Sequence, residues 1–172
     1  MDLSLEFDIP KTPLLQKGAA GKVVHDELLQ AMEVGVNLMH GAVVPLVPVD
    51  RGTLRNGVQN EIQGQAVDLT GRVFNPLLHA LPVETGAKPH WPPAAALEGW
   101  VKRKLGISDP REAKSVAFLV ARAIARRGTK AVEMFARGFT AAEPRVRARF
   151  DEALKRIAER LSQGGGGRGG GR

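Results

Sequence analysis

The sequence predicts an α+β protein, with a long N-terminal helix and several C-terminal helices packed on a small antiparallel β-sheet. Three observations support this fold class. Apolar residues recur at helical spacing from about residue 19 to 44, alternate within residues 54–74, and return to helical spacing after residue 93. At 172 residues the chain is long enough to bury a substantial core within one domain.

The N-terminal segment, residues 1–16, is predicted to be an arm or an edge strand. It contains Pro10 and Pro13 and shows no clear hydrophobic period. It is acidic and has no basic stretch before an apolar core, so we do not expect a signal peptide. Nothing in the chain approaches the run of about 18 apolar residues that a membrane-spanning helix needs.

The first helix is predicted from about Ala19 to Val44. Its apolar residues would form one face of an amphipathic helix about 37 Å long. Pro45 and Pro48 follow and end the helix, because proline cannot continue it. The apolar face consists of Val24, Leu28, Met32, Val36, Met39 and Val43.

A β-hairpin is predicted next, with strands at residues 54–63 and 65–74 on either side of Gly64. Val, Ile and Phe occupy roughly alternate positions in both stretches. Asn75 and Pro76 close the hairpin. A two-stranded hairpin is marginal by itself, so this one requires the helices to pack against it.

Two helices are predicted after Pro93. The first lies within AAALEGWVKRKLG and ends at Gly106, which suits a helix C-cap. The second has Ser108 or Asp109 as its N-cap and Pro110 at its first position, and it stops at the next glycine. The expected apolar residues are Leu97, Trp100, Val101 and Leu105 in the first helix, and Val116, Leu119, Val120, Ala123 and Ile124 in the second.

The remaining chain is predicted to form two further helices and a tail. AVEMFARGF suits a short helix, and EPRVRARFDEALKRIAERLSQ a final amphipathic one. The domain limits expected are therefore an arm at 1–16, a single α+β domain at 17–163 and a flexible Gly/Arg tail at 164–172. The apolar face of the final helix comprises Val146, Phe150, Leu154, Ile157 and Leu161.

The net charge of +7 is unevenly distributed along the chain. Residues 1–90 carry seven Lys and Arg against ten Asp and Glu, whereas residues 91–172 carry eighteen against eight. Such a basic half attracts phosphates without regard to sequence, or pairs with the acidic half of a neighbouring subunit. Both interpretations stay open. The candidate DNA-channel or intersubunit cations are Lys102, Arg103, Lys104, Arg122, Arg126, Arg127 and Lys130.

The sequence contains no constellation suited to catalysis. The chain has no cysteine, which excludes thiolate chemistry and cysteine zinc sites. The histidines at 25, 40, 79 and 90 show no metal-ligand spacing. The Gly-rich C-terminus lacks the strand, the helix and the GKS or GKT ending of a phosphate-binding loop. We therefore expect neither an enzyme nor a bound cofactor or metal.

The segment LPVETGAKPHWPP, residues 81–93, combines one Glu, one His and one Trp with four prolines. A lone Glu in such a loop more often accepts amide hydrogen bonds than performs acid–base chemistry. Prolines stiffen the backbone, a glycine permits a turn, and a tryptophan anchors a contact. We predict a docking loop. Its candidate contact residues are Glu84, Gly86, Pro89, His90 and Trp91.

Several collinear stretches between about residues 20 and 160 resemble the tail-completion (head–tail joining, neck or connector) proteins of long-tailed bacteriophages. VPVDRGTLRNGV resembles the family's Val-Pro-x-Asp-x-Gly-x-Leu-Arg pattern, and HALPVETGAKPHWPP its Val-Glu-x-Gly segment. LEGWVKRKLG, ARAIARRGTKAVEMFARGF and PRVRARFDEAL resemble its later helices. His79 and Ala87 stand where Tyr and Thr are usual, and Ala131 and Met134 where Gly and Phe are usual.

The resemblance implies a structural virion protein that takes part in tail assembly. It implies a homo-oligomeric ring in the neck, between the portal or adaptor and the tail tube or tail terminator, with genomic DNA passing through the lumen. Assembly would take place in the host cytoplasm, with no membrane and no catalysis. The alternative that the residues leave is a non-specific nucleic-acid-binding protein that uses its basic C-terminal half.

Overall fold

The computed structural model describes residues 3–6, 18–65 and 68–165, and it confirms the α+β class. The rest of the predicted arm and residues 166–172 of the predicted tail lie outside the described residues. The strands are β1 (Leu3–Glu6), β2 (Gln59–Gln65) and β3 (Asp68–Phe74). The helices are α1 (Gly18–Val43), α2 (Thr53–Asn56), α3 (Ala80–Thr85), α4 (Ala94–Leu105), α5 (Pro110–Arg127) and α6 (Met134–Gly165), and a 3-10 turn spans Val44–Leu46.

The chain forms two compact units, which are described separately. Unit 1 comprises Met1–Pro45, Val58–Phe74 and Phe135–Arg172, and therefore contains the sheet, α1 and all but the first residue of α6. Unit 2 comprises Leu46–Gly57 and Asn75–Met134, and contains helices α2 to α5.

The sheet of unit 1 is antiparallel, with β3 between β1 and β2. Leu69 and Val73 of β3 are buried, as the two-residue period of a strand allows for one face. Gly71 lies between them, and a Cβ atom there would come within 2.6 Å of Met32 Sδ and 2.5 Å of a Val36 methyl carbon. The missing side chain therefore allows α1 to lie close against the sheet.

The predicted apolar face of α1 is confirmed, because all six of its residues are buried. The same helix contacts α6: a Cβ on Gly35 would lie 3.3 Å from Val146 and 3.6 Å from Phe150. One carboxylate is buried here. Glu27 accepts hydrogen bonds from Arg156 at 2.7 Å and Arg160 at 3.0 Å, which satisfies a charge that would otherwise be costly to bury.

The predicted first strand of the hairpin begins too early. Residues 54–56 belong to α2, and the strand starts at Gln59. The reason is local: Gly52 adopts a left-handed conformation with φ of 81°, and its carbonyl accepts a hydrogen bond from the N–H of Asn56 at 2.8 Å. Leu54, which the alternating apolar pattern assigned to the strand, therefore lies in a helical turn.

Helices α4 and α5 begin and end within a residue of the prediction. The Asp109 side chain caps α5 by accepting hydrogen bonds from the N–H groups of Arg111 at 2.6 Å and Glu112 at 3.0 Å. Pro110 occupies the first helical position, as expected. Gly106 ends α4 with φ of 69°, which confirms the predicted C-cap.

The predicted apolar face of α5 is only partly right: Val116, Val120 and Ile124 are half-buried, and Val116 packs against the buried cluster between α4 and α5. The fully buried residues of α5 are Ala113, Ala117 and Ala121, and the first two pack against Val101 of α4. Alanines four residues apart form one stripe, and their small size permits a close approach of the two helices. The larger predicted residue Leu119 is exposed, and so are Ala123 in α5 and Leu105 in α4.

The prediction of two separate C-terminal helices is also wrong. One helix, α6, runs through both stretches and contains Pro144 in its interior. Its buried face includes Val146, Phe150 and Ile157 as predicted, and Ala153 in addition. Leu154 is largely exposed instead.

Replacing Pro144 with alanine tests the continuity of α6. Within a helix, proline lacks the N–H donor and its ring clashes with the preceding turn, at a cost of about 3 kcal/mol. Its stiffening of the unfolded chain offsets about 1 kcal/mol. We therefore expect Pro144→Ala to raise the free energy of unfolding by about 2 kcal/mol in urea titrations. A loss of stability would contradict the single helix, since proline is favourable only at a helix start.

Candidate functional site

Two backbone segments of unit 2, residues 83–87 and 128–133, lie side by side, and we call this pairing the clamp. Four backbone hydrogen bonds of 2.9 to 3.2 Å join the two segments. Ala87 and Thr129 form an antiparallel bridge at one end of the clamp, and the N–H of Ala87 also donates to the Thr129 hydroxyl at 2.9 Å. The clamp thereby brings together the Val-Glu-x-Gly stretch and the Gly-Thr stretch.

Glycine is required at two positions of the clamp. Gly86 and Gly128 have φ of 75° and 70°, a region that favours glycine. A Cβ on Gly86 would lie 2.5 Å from the Thr129 carbonyl oxygen, and one on Gly128 would collide with the Ala87 carbonyl. Sequence reasoning predicted a turn at the first glycine and a helix stop at the second, but not their pairing.

Some of the predicted contact residues are buried or half-buried in the clamp, and the others lie on the surface. The Glu84 side chain is only 4% exposed, and Gly86 is half-buried. Pro89, His90 and Trp91 are exposed, and His90 Nδ1 lies 2.9 Å from the carbonyl oxygen of Lys88. Of the five candidate contact residues, the three that can meet another molecule are therefore Pro89, His90 and Trp91, while Glu84 and Gly86 belong to the clamp.

Trp91 does not stand alone on the surface. Its ring packs edge-on against Phe118 of α5, with ring centroids 5.6 Å apart and an interplanar angle of 64°. The exposed fractions are 56% for Trp91, 49% for Phe118 and 58% for Leu119. We call these three residues the aromatic face. Sequence reasoning missed Phe118, and it placed Leu119 inside, because it oriented α5 by its large residues.

Arg103 differs from the other candidate cations because it has a carboxylate partner. Its Nε and Nη2 atoms donate to the two carboxylate oxygens of Asp50 at 2.8 and 2.6 Å. Across residues 18–65 and 68–165, no other candidate cation forms an ion pair within 4.0 Å. All of these unpaired cations are exposed: Lys102, Lys104, Arg122, Arg126, Arg127 and Lys130.

Folding separates these cations into two groups at opposite ends of α5. Residues 102–104 immediately precede the loop into α5, whereas residues 126–130 lie at its far end. At 1.5 Å per residue the two ends are about 25 Å apart. Arg122 lies one turn from Phe118, so it borders the aromatic face.

The excess of positive charge is concentrated in one of the two structural units. Unit 2 contains twelve Lys and Arg against six Asp and Glu, whereas unit 1 contains thirteen against twelve. Several arginines of α6 are neutralised within unit 1, for example Arg147 by Glu143 and Arg149 by Glu152. The excess positive charge is therefore carried by the unit that also presents the aromatic face.

Unit 2 also contains a groove of about 580 Å³. Its apolar lining includes Val49, Leu54, Val83, Ala96 and Trp100, and its charged lining consists of Asp50, Arg51, Arg103 and Lys104. Pro48, Gly52, Thr53 and His79 complete it. The stretch VPVDRGTL supplies most of one wall, and α4 supplies the other.

Replacing Asp50 with asparagine should destabilise the protein at neutral pH but not at strongly acidic pH. The hydrogen bonds from Arg103 hold the pKa of Asp50 below its ordinary value of 3.8. A lowered folded-state pKa contributes stability that is complete above the unfolded pKa and lost as pH falls through the folded one. Urea titrations should show a constant difference between the two proteins above about pH 5 and a shrinking one below about pH 4. A difference that does not shrink as the pH falls below about 4 would contradict the ion pair.

Among the described residues, no group of His, Asp and Glu side chains is arranged to hold a metal ion. None of the helices in this part of the chain is long and apolar enough to cross a bilayer. Comparisons of the chain with models of protein families, with curated proteins and with solved structures yield no match.

Proposed function

We propose that the protein is a structural component of a bacteriophage virion, which joins the head to the tail tube as part of a ring around the DNA channel. The observation that carries this proposal is the aromatic face beside the unpaired Arg122. Trp91, Phe118 and Leu119 leave large apolar groups in water, and clustered exposure of this kind marks a surface that a partner covers.

The composition of this surface suits contact with another protein. Trp and Arg are the residues most enriched where binding energy concentrates, and Lys is depleted there. Trp91 is followed directly by two prolines, which fix φ and lower the conformational entropy lost on docking. Arg122 has no carboxylate partner among the described residues. It is therefore available to a neighbouring subunit or to the phosphates of DNA.

The proposal also rests on the resemblance, and residues of the resembling stretches contact one another within unit 2. Asp50 belongs to the first resembling stretch, and it pairs with Arg103 in the third. The clamp joins the second stretch to the fourth through Ala87 and Thr129.

A non-specific nucleic-acid-binding protein is the second candidate. The observation that favours it is the Trp91–Phe118 pair next to Arg122, because exposed aromatic rings beside cations offer stacking to single-stranded bases. This function predicts tight binding of single-stranded DNA by the isolated monomer, with an affinity that falls steeply as salt increases. A neck protein should bind free DNA weakly before it assembles.

Two measurements test the proposal. Mass spectrometry of intact particles of the phage that encodes the chain should detect the protein, and negative-stain electron microscopy of the protein mixed with purified portal complexes or tails should show rings. A protein that stays monomeric in these mixtures and is missing from the particles would overturn the proposal. Salt-sensitive binding of DNA by that monomer would then support the second candidate.

A further inference from the structure

We propose that the groove of unit 2 is a binding site for an acidic protein segment that carries apolar side chains. This site is separate from the aromatic face, and it requires neither a ring nor a virion. Three features of the groove lead to this ligand class: an apolar floor, a rim with an excess of positive charge, and a single carboxylate held among the cations.

The floor provides the apolar part of the site. Leu54 is buried, Trp100 is half-buried, and Val49 remains 47% exposed. All three line a space of about 580 Å³, which lies within the usual range of ligand sites. A leucine or phenylalanine side chain placed there would cover apolar surface that water now contacts, which favours binding.

The rim provides the charged part. Arg51 and Lys104 both lie close enough to Asp50 to lower its pKa, yet neither forms an ion pair with it. Arg103 uses Nε and Nη2 for Asp50. Three cations therefore surround one carboxylate, and the excess positive charge is complementary to carboxylates on a ligand.

The same carboxylate favours a peptide over a nucleic acid. The sugar–phosphate backbone of DNA carries acceptors and no N–H donor, so it cannot donate a hydrogen bond to Asp50. An acidic peptide can place its carboxylates on Arg51 and Lys104, and direct a backbone N–H group toward Asp50. The apolar floor also has a counterpart in a peptide side chain and none in a phosphate backbone.

The test uses the full-length protein and fluorescein-labelled peptides measured by fluorescence polarisation. The probe alternates glutamate with leucine and phenylalanine. One comparison peptide replaces each glutamate with glutamine, and another replaces the apolar residues with serine. We expect the probe to bind at least tenfold more tightly than either comparison peptide, because each lacks one of the two features that the groove recognises.

Matched variants locate the binding. Ala96 is exposed and lines the groove, so Ala96→Phe should fill the groove and weaken probe binding at least tenfold, whereas Ala95→Phe, one residue away and outside the groove, should change it less than twofold. Lys104→Glu together with Arg51→Glu should also weaken binding about tenfold. Lys102→Glu reverses an exposed charge of the same helix outside the lining and should have a small effect.

Two results would overturn the proposal. Equal affinity of the wild-type protein and the Ala96→Phe variant for the probe would place binding outside the groove. Binding of the glutamate–serine peptide as tight as that of the probe, with displacement by a single-stranded DNA oligonucleotide, would identify a general polyanion surface instead. Either result leaves the head–tail proposal unaffected, since particle composition and ring formation are measured independently.

Discussion

Replacing Gly128 with alanine is expected to destabilise unit 2 by about 4 kcal/mol or more, a loss within the exceptional range for single substitutions. Two causes act together. The positive φ of Gly128 strains any residue with a Cβ atom, and that atom would collide with the Ala87 carbonyl across the clamp. The obstacle is backbone rather than a flexible side chain, so relief requires the two segments to separate and break their hydrogen bonds.

Gly106 provides a control for the positive φ alone. Its φ of 69° is almost identical to that of Gly128, and nothing lies within 4 Å of the position that a Cβ would occupy. Its ψ of 19° places it in the left-handed helical region, whereas the ψ of −156° at Gly128 belongs to a region that is essentially restricted to glycine. We therefore expect Gly106→Ala to cost about 1 to 2 kcal/mol, the conformational part alone. Both tryptophans of the chain belong to unit 2, so tryptophan fluorescence during urea unfolding reports on this unit. Equal losses for the two variants would show that the clamp is not close-packed.

Removing the aromatic face is expected to abolish assembly without unfolding the protein. The double variant Trp91→Ala, Phe118→Ser should lower the association of the protein with its partner at least a hundredfold. Central aromatic anchors commonly contribute 2 kcal/mol or more each, and 1.4 kcal/mol corresponds to a factor of ten. Both side chains are about half exposed, so the free energy of unfolding should change by about 1 kcal/mol or less.

Leu105→Ala is the matched control for this double variant. Leu105 is 52% exposed and belongs to the same unit, but it lies at the end of α4. Its removal should leave association within about threefold of wild type, because isolated exposed apolar residues are ordinary. Ring formation and particle incorporation measure the outcome. Normal incorporation of a folded Trp91→Ala, Phe118→Ser protein would remove the aromatic face from the interface.

The buried face of α1 in unit 1 could be predicted from the sequence because the pattern of apolar residues there is local and regular. Six large apolar residues of α1 recur at helical spacing, and all of them are buried. In α5 the same reasoning was only partly right. Ala113 and Ala117 contribute little to a hydrophobic pattern, yet they pack against Val101 of α4 because close packing there needs small residues. The misplaced face concealed Phe118, which belongs to the proposed docking surface.

The clamp shows a different limit. Its hydrogen bonds join backbone atoms about forty residues apart, and backbone pairing leaves few side-chain signals in a sequence. The only residues in the sequence that point to the clamp are two glycines, Gly86 and Gly128. Each of them could also be explained by a local turn. The pairing of Arg103 with Asp50 is likewise non-local: charge patterning identified the arginine, but not its partner. Both features required the folded chain.

The clamp also has a consequence for how this protein can diversify. It holds the chain ends on either side of the α4–α5 hairpin next to each other, at Ala87 and Thr129. The hairpin therefore begins and ends at neighbouring positions in the fold. When the two ends of a segment are held together, a change in the length of that segment has a small entropic cost. The hairpin carries part of the aromatic face and one wall of the groove. Its length and sequence can therefore change while the clamp keeps its geometry.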